Sequence, residues 1–275
     1  MSRLNRVDMS FLQAQSSISI DVEKRPGAVT ADGMESDIAI LLNLLRDVCS
    51  ATFFVTGEVA SAKPETIRDI SREGHEVACH GLYHENFDML EPSEQFRRIQ
   101  IATNNIANVA GSKPVGFRAP RHRVNAATLQ TLEALGYVYD SSVLPRTPFM
   151  APEARKKWRF LFAPVIPYRP ARTNIARKGN SSILEVPCST LLFPFVSSLS
   201  MRSGSISDIV ASLLLRRSKL TGSPIVYYLH SYDSGWDEGK MSWLRRVIHI
   251  LQRGHVEFLT MRQLALSYMT SNTGP

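Results

Sequence analysis

The chain has 275 residues, 44% hydrophobic and 21% charged, and carries a formal net charge of +7. These figures fit one large α/β domain, and they exclude collagen, a long coiled coil and wholesale disorder because the chain can bury a full core. The cysteines are odd in number, far apart and without a CxxC pair, so neither a disulfide framework nor a zinc knuckle is predicted. They are Cys49, Cys79 and Cys188.

The surplus of positive charge bears on partners and location. Nucleic acid, phospholipid headgroups and phosphate-bearing substrates are the anionic partners that a basic protein can meet. The densest basic stretches, 155–159 and 216–219, do not extend into longer runs of like charge, so no nucleic-acid-binding arm is predicted. The sequence shows no signal peptide and no apolar stretch approaching ~18 residues, and we therefore expect a cytoplasmic protein.

Strand and helix patterns alternate through the first half of the chain. Short buried-type strands are separated by segments with apolar residues at helical spacing, which favours a parallel sheet covered by helices. Pro64 fits the first turn of one helix, Gly74 follows its end, and Ser93 is a plausible N-cap of the next. In chain order the predicted elements are strand 17–22, helix 37–48, strand 51–55, helix 63–73, strand 76–79, helix 93–109, strand 115–117, helix 126–135 and strand 137–139.

The alternation pauses and then resumes. Residues 145–180 are rich in Pro, Arg and Lys, and we predict an irregular insertion there. With the later elements the pattern reaches about seven strands. These elements are strands 183–186, 225–229 and 256–259, with helices 206–217 and 243–253 between them.

Polar or ionisable residues stand just past the ends of several predicted strands. In parallel α/β folds the carboxyl ends of the strands meet at one edge, and the active site lies there. The sequence therefore predicts a site at this edge. The residues concerned are Asp21, His80, Arg118, Asp140 and His230.

Two pairs of residues have the spacing of metal ligands. Asp21 and Glu23 share a face in an extended chain, although a solvated strand end is the favoured interpretation of this pair taken alone. His80 and His84 are four residues apart, which lets both imidazoles reach one ion from a helix turn or a tight loop. Two unrelated surface histidines are the alternative. Two histidines and one carboxylate are a usual catalytic zinc set that leaves a position open for water.

The other three positions are less specific. His230 follows the apolar strand 225–229, where a histidine is either a packed core residue or a general acid. Asp140 precedes two serines and is either part of the site or a turn or N-cap residue. Arg118 opens the sequence Arg-Ala-Pro, a Pro-fixed turn that has no particular function by itself.

A set of short motifs occurs in order along the chain. They are Asp21-x-Glu23, Ala-Thr-Phe-Phe-Val at 51–55, Glu-Gly-His-Glu-Val-Ala-Cys-His-Gly at 73–81 with His84, Arg118-x-Pro120, Tyr139-Asp140-Ser141-Ser142 and Leu229-His230. Together they resemble the polysaccharide deacetylase family, carbohydrate esterase family 4. The resemblance implies a single-domain α/β protein with a distorted (β/α)7 barrel at 16–268, an N-terminal extension at 1–15 and a tail at 269–275.

The resemblance also implies a reaction, which is the metal-dependent hydrolysis of an N-acetyl or other N-acyl group on a sugar. Such an amide needs a polarised carbonyl, a base for the attacking water and an acid for the leaving amine. The implied ligands of a divalent metal, usually zinc, are Glu23, His80 and His84. The implied proton-transfer groups are Asp21 as the base, Arg118 as the cation that orients it, His230 as the acid and Asp140 as the residue that tunes His230.

Three positions depart from the common pattern of the family. One residue separates the two acids, and Glu23 stands where an aspartate is usual. Arg121 follows Pro120, where the family commonly has an aromatic residue whose backbone N–H binds the acyl oxygen. The backbone donor survives this change, but the side chain that shapes the substrate pocket differs. Gly81 follows His80 in place of a serine or threonine.

The substrate stays open among polysaccharides and lipid-linked or nucleotide-linked sugars. Tyr232 and Trp236 are candidates for stacking on a sugar ring, with loop packing as the alternative. Residues 193–195 and 213–217 suggest peripheral membrane contact, although core packing is favoured. The alternative functions are hydrolysis of a non-sugar amide and a metal-free glycan-binding subunit.

Overall fold

The computed structural model describes residues 13–145, 160–191, 194–197, 203–234 and 238–271. The strands are β1 Gln15–Val22, β2 Thr52–Val55, β3 Glu76–Cys79, β4 Gly116–Phe117, β5 Tyr139–Asp140, β6 Pro170–Ala171, β7 Asn174–Lys178, β8 Leu184–Glu185, β9 Ile225–His230 and β10 Glu257–Phe258. The helices are α1 Met34–Leu45, α2 Gly57–Ala62, α3 Pro64–Arg72, α4 Pro92–Ala110, α5 Ala126–Ala134, α6 Gly204–Thr221, α7 Glu238–Arg253 and α8 Met261–Ser271. None of the helices in these ranges is both long and apolar enough to cross a membrane.

Eight of the strands form one parallel sheet in the order β10-β1-β2-β3-β4-β5-β8, and β9 pairs with the free side of β1. β10 pairs only with Gln15 and Ser16, ahead of the residues of β1 that pair with β2. The sheet closes where the chain after β8 meets β9, because Ser189 N–H donates to Val226 O at 3.1 Å and Tyr228 N–H donates to Phe195 O at 3.3 Å. The predicted distorted (β/α)7 barrel is thereby confirmed.

Alternation along the strands divides the buried residues between two cores. In β1, Ile18 and Ile20 belong to the outer core, which packs the sheet against the helices, and Ser19 and Asp21 take the alternate positions. The inner core fills the barrel with residues from the sheet and from α8. Because Met261 N–H at the start of α8 donates to the first residue of β2, α8 covers the amino-terminal end of the barrel. The carboxyl ends of the strands are thus left for the site.

The predicted elements are present with shifted ends. Helix α4 begins at Pro92 with Glu91 in the N-cap position, so the prediction of Ser93 as N-cap is wrong. Proline suits this first position because its missing N–H would have no partner there. Helices α2 and α8 were not predicted. Part of the predicted irregular insertion is the antiparallel hairpin β6–β7, and residues 146–159 lie outside the described residues.

A buried polar network crosses β4 at a glycine. Tyr139 of β5 donates its hydroxyl to Glu76 Oε1 of β3 at 2.9 Å, and Thr52 donates to Glu76 Oε2 at 2.8 Å. Gly116 of β4 lies between these strands and pairs with Tyr139. A Cβ atom on Gly116 would lie 2.0 Å from the tyrosine ring, so only glycine leaves room for this crossing.

We predict that Gly116→Ala lowers the free energy of unfolding by roughly 1–3 kcal/mol, because the added methyl group displaces a fully buried ring. Urea unfolding followed by circular dichroism measures the change. Gly204→Ala is the matched control, since the nearest atom to its new Cβ is the flexible guanidinium of Arg246 at 3.1 Å. Equal stability of Gly116→Ala and the wild type would contradict this account of the crossing.

Candidate active site

The carboxyl ends of the strands bring distant parts of the chain together at one end of the barrel. Asp21 lies near the end of β1, and Glu23 follows it on the same side of the extended chain. His80 comes directly after β3, and His230 ends β9. The register pairs Asp21 with His230 across neighbouring strands, so a carboxylate and an imidazole face the same space.

Glu23, His80 and His84 form the cluster that can hold a metal ion. Their ligand atoms all lie within 4.8 Å of one another. Oε2 of Glu23 is 2.7 Å from Nε2 of His84 and 3.5 Å from Nε2 of His80. This buried oxygen has no hydrogen-bond partner of acceptable geometry among the described residues. Three donor atoms that converge on one point fit a cation, because ligand distances near 2.1 Å bring tetrahedral donors to within about 3.4 Å of one another.

The electrostatics of this cluster also suit a cation. Burial alone would raise the pKa of Glu23, yet His80 and His84 outweigh it and hold the pKa well below the usual range of a glutamate. Burial likewise opposes the charged form of His80, but the carboxylates of Asp21 and Glu23 outweigh it and raise the pKa of the imidazole. The cluster therefore carries a negative potential that attracts either protons or a metal ion. His84 is the member open to solvent, with 30% of its side chain exposed.

A tight loop, not a helix, carries the two histidines. Gly81 has φ 83°, a left-handed conformation that glycine adopts without steric cost. The first turn of α2 fixes this loop, since Gly57 N–H donates to Gly81 O and Glu58 N–H donates to Leu82 O, both at 2.9 Å. The left-handed backbone conformation thus explains why position 81 is a glycine and has no side-chain hydroxyl.

A hydrogen bond to a main-chain carbonyl sets the tautomer of His80. Its Nδ1 lies 2.8 Å from the carbonyl oxygen of Arg118, which can only accept. The proton is therefore on Nδ1, and Nε2 presents a lone pair toward Glu23. Metal-ligating histidines in proteins are commonly oriented in this way.

Arg118 is fully buried and holds Asp21 in place. Its Nη1 donates to Asp21 Oδ1 at 2.8 Å, and its Nη2 donates to Ser19 Oγ at 2.9 Å and Ser141 Oγ at 3.1 Å. The guanidinium carbon also lies 4.2 Å from the ring centroid of Phe54. One oxygen of the Asp21 carboxyl group is thus fixed by the arginine, and its other oxygen lies 3.8 Å from Nε2 of His80.

His230 is paired with Asp233. Its Nδ1 lies 3.3 Å from Asp233 Oδ2, and the same oxygen accepts from the backbone N–H of His230 at 2.9 Å. Ser197 donates a further hydrogen bond to this carboxylate. Burial lowers the pKa of His230, but the Asp233 hydrogen bond and the charge of Asp21 outweigh it and leave the pKa raised. The imidazolium form is stabilised, with Nε2 left for another partner.

Asp140 does not take the position predicted for it. Tyr139 packs inside the barrel, so the alternation of β5 turns Asp140 to the other side, where it pairs in register with Glu185 of β8. Burial raises the pKa of Asp140 to about 6, and burial with the charge of Asp140 raises the pKa of Glu185 well above its usual value. Since two adjacent buried carboxylates cannot both ionise, they share a proton.

Asp140 instead braces the turn that follows Arg118. Its Oδ1 accepts from Ser142 Oγ at 2.6 Å, and Ser142 Oγ accepts from the backbone N–H of Ala119 at 2.8 Å. The predicted tuning of His230 by Asp140 is corrected accordingly, because Asp233 is the carboxylate that His230 contacts.

The predicted substrate-binding residues differ in their surroundings. Tyr232 stacks one face of its ring on His230, with centroids 4.8 Å apart, and its hydroxyl lies 3.4 Å from Glu23 Oε1. One ring face is therefore occupied by the imidazole. Arg121 is exposed, and its Nη1 is 3.5 Å from Asn86 Oδ1. Trp236 lies outside the described residues.

The turn at Arg121 has an unusual backbone. Arg121 and His122 have φ values of 54° and 56°, a left-handed region that non-glycine residues seldom occupy. His122 Nδ1 lies 3.2 Å from Ser142 O, and its ring packs edge-on against Tyr228, so contacts on the inner side hold the conformation. Such strained backbone persists only where the surroundings fix it, and it is enriched at functional sites.

Sequence reasoning missed Ser19, Ser197 and Asp233. Asp233 follows His230 by three residues within the turn Ser231–Ser234, and that spacing next to a candidate acid is a signal that could have been used. Ser19 lies two residues before Asp21 on the same face of β1, which also could have been noticed. Nothing in the local sequence indicates Ser197, because the pairing joins segments that are far apart in the chain.

Part of the chain is similar to known proteins. Residues 25–139 match the family model for polysaccharide deacetylase. A peptidoglycan deacetylase-like protein of Gibberella zeae is 34% identical over 92 residues, 34% of this chain and 27% of that protein. A chitooligosaccharide deacetylase of a Bradyrhizobium species is 38% identical over 71 residues, 26% of this chain and 32% of that protein. The chain thus spans no more than a third of the length of these two relatives.

A solved structure extends the likeness to the whole fold. The crystal structure of a Mycobacterium smegmatis protein superposes with a TM-score of 0.72 at 22% identity, covering 97% of this chain and 94% of that chain. At this identity the likeness establishes the fold alone. Taken together, the fold, the family model matched by residues 25–139 and the deacetylase relatives support the resemblance of this chain to the polysaccharide deacetylase family.

Proposed function

We propose that this protein is a metal-dependent hydrolase that removes an N-acetyl group from a sugar of a polysaccharide or glycan precursor. The observation that carries the proposal is the convergence of Glu23, His80 and His84 beside Asp21, which is paired with Arg118, and His230, which is paired with Asp233. The names of the two relatives, a peptidoglycan deacetylase-like protein and a chitooligosaccharide deacetylase, support the same reaction and substrate class.

We assign Glu23, His80 and His84 as the ligands of a divalent ion, with zinc as the preferred metal. Two imidazoles and one carboxylate match the donor set of catalytic zinc sites with three protein ligands. When bound, such an ion polarises an acyl oxygen and makes a nucleophile available from water near neutral pH.

Asp21 serves as the general base in this proposal. Its Oδ1 is held by Arg118, so Oδ2 is free to accept the proton of an attacking water. The buried guanidinium fixes the direction of the carboxylate, which prevents it from turning onto His80. A positioned base of this kind contributes a factor of about 10² to 10⁴ to the rate.

His230 serves as the general acid. Asp233 holds Nδ1 and stabilises the protonated ring, so Nε2 can deliver a proton to the leaving nitrogen. Asp21 and His230 are register partners on adjacent strands, so the proposed base and the proposed acid border the same space at the end of the barrel.

The backbone N–H of Arg121 is our candidate donor to the developing negative charge on the acyl oxygen. No described residue accepts a hydrogen bond from it, whereas the following two N–H groups donate to Ala119 O and Pro120 O. The left-handed conformation at Arg121 and His122 turns the chain sharply at this point. A preorganised donor aimed at such a charge is worth about 3 kcal/mol in well-studied enzymes.

We expect the purified protein to bind about one zinc or similar ion per chain and His80→Ala/His84→Ala to bind none, because the double variant leaves only one ligand. Elemental analysis after dialysis measures the content. His249→Ala/His255→Ala, which changes two histidines outside the site, is the control and should retain the ion. Equal metal content in the wild type and in His80→Ala/His84→Ala would place the ion elsewhere.

We expect Asp21→Asn to retain the metal and to release acetate from chitooligosaccharides and peptidoglycan fragments ~100- to 10,000-fold more slowly than the wild type. Its free energy of unfolding should fall by up to roughly 3–5 kcal/mol, because the charge of Arg118 is left without a partner. Acetate release, metal content and urea unfolding are measured together. Asp37→Asn, in α1, is the control that should keep full activity. Wild-type rates in a folded Asp21→Asn would refute the role of base.

We expect Asp233→Asn to move the alkaline limb of the kcat profile to lower pH. The negative charge of Asp233 raises the pKa of His230, so its removal lowers that pKa, and the acid loses its proton earlier as the pH rises. The pH dependence of kcat from pH 5 to 9 is an adequate range around the ordinary histidine pKa of about 6.5. An alkaline limb that does not move would exclude His230 as the acid.

A further inference from the structure

Helix α6 has an apolar face that is exposed in the part of the chain that the structure describes. Val210, Ala211 and Leu214 are its buried apolar residues and pack in the outer core. On the opposite side stand four large aliphatic side chains at positions spaced by three, four and seven residues, so they form one stripe. They are Ile206, Ile209, Leu213 and Leu220, with exposed fractions of 48%, 59%, 48% and 74%.

Positive charge accompanies this stripe. Arg216 borders the stripe, Lys219 lies farther around the helix, and both are exposed. Helices α6 and α7 pack together and contain seven lysines and arginines but only two acidic residues. Among the described side chains of the two helices the single carboxylate is that of Asp208, which pairs with Arg246. The surface of α6 beside the exposed aliphatic residues therefore carries a surplus of positive charge.

We propose that the outward face of α6 binds the surface of an anionic phospholipid bilayer. A helix with aliphatic residues on one side and cations beside them lies in the plane of the interface, with the apolar residues at the acyl boundary and the cations among phosphates. The charge surplus selects this occupant, since the docking face of a second copy would bring the same cations together. Helix α6 does not cross the bilayer.

The orientation of α6 relates this surface to the active site. The helix ends at Thr221 and the chain then enters β9 at Ile225, so its amino-terminal end lies toward the edge where His230 stands. A protein bound along α6, which is about 27 Å long, would hold that edge near the headgroup layer. Binding to lipid does not depend on the proposed hydrolysis and is tested separately from it.

The test is co-sedimentation of the full chain with vesicles of phosphatidylcholine and phosphatidylglycerol, and with vesicles of phosphatidylcholine alone. We expect binding to the anionic vesicles and at least about tenfold weaker binding to the neutral ones. Ile209→Ser/Leu213→Ser and Arg216→Gln/Lys219→Gln should each weaken binding to anionic vesicles by about tenfold or more. Salt should weaken wild-type binding, because exposed charges are screened.

Matched control variants distinguish the effect of changing this face from the effect of a general change in polarity or charge. Ile40→Ser/Leu266→Ser replaces the same residue types at exposed positions on α1 and α8, and Arg177→Gln/Lys178→Gln removes the same charges on β7. Both controls should bind vesicles as the wild type does. Equal losses in controls and test variants, or no binding to anionic vesicles, would overturn the proposal.

The competing occupant is a second copy of the chain. Sedimentation velocity of the wild type and of Ile209→Ser/Leu213→Ser distinguishes the two. A wild-type dimer that becomes monomeric in this variant would assign the face to self-association and overturn the membrane proposal. A monomer in both, with vesicle binding lost only in the variant, would support it.

Discussion

The buried cation Arg118 is the constraint on which the site depends. A guanidinium away from water is tolerated only where its N–H groups meet acceptors and its charge meets a carboxylate. Asp21 supplies the charge, and Ser19 and Ser141 supply acceptors from separate parts of the barrel. The backbone carbonyl of the same arginine orients His80. One residue therefore fixes both the proposed base and a proposed metal ligand, so the relation between them follows from the register of the sheet and not from a mobile loop.

The two ends of the barrel contain different kinds of side chain, and this difference explains why the site can form at the carboxyl end. Helix α8 and the network of Tyr139, Glu76 and Thr52 fill the amino-terminal end. The carboxyl end contains charged residues whose costs of burial are met in pairs, as in Asp21 with Arg118 and His230 with Asp233. Because apolar packing is concentrated at the closed end, the open end can hold polar groups at fixed positions without filling the space between them.

The sequence was informative where periodicity and strand ends coincide. Alternating strands and helices predicted a parallel sheet covered by helices, and the resemblance to a known family implied the barrel. The residues past the strand ends included Asp21, His80, Arg118 and His230, which lie together at one edge of the sheet. The predicted role of Asp140 was wrong because a strand end alone does not indicate which side of the sheet a residue faces. Tyr139 occupies the inner side, so Asp140 faces the other side. Asp233 and Ser197 were missed because contacts made by turns and by distant segments leave no periodic signal. The strain at Arg121 and His122 was likewise invisible, since both residue types usually avoid that backbone conformation.

Charge balance connects the metal cluster with the proton-transfer groups. Asp21 and Glu23 are negative, Arg118 is positive, and His230 with Asp233 is neutral as a pair, so the buried group retains one negative charge. This charge raises the pKa of His80, which is a metal ligand in our proposal. The same negative potential that favours a proton on the imidazole ring also favours the binding of a metal ion. The hydrogen bond from Nδ1 to Arg118 leaves Nε2 as the atom at which they compete. In our proposal, ion binding therefore depends on the protonation of His80, and proton delivery depends on the protonation of His230.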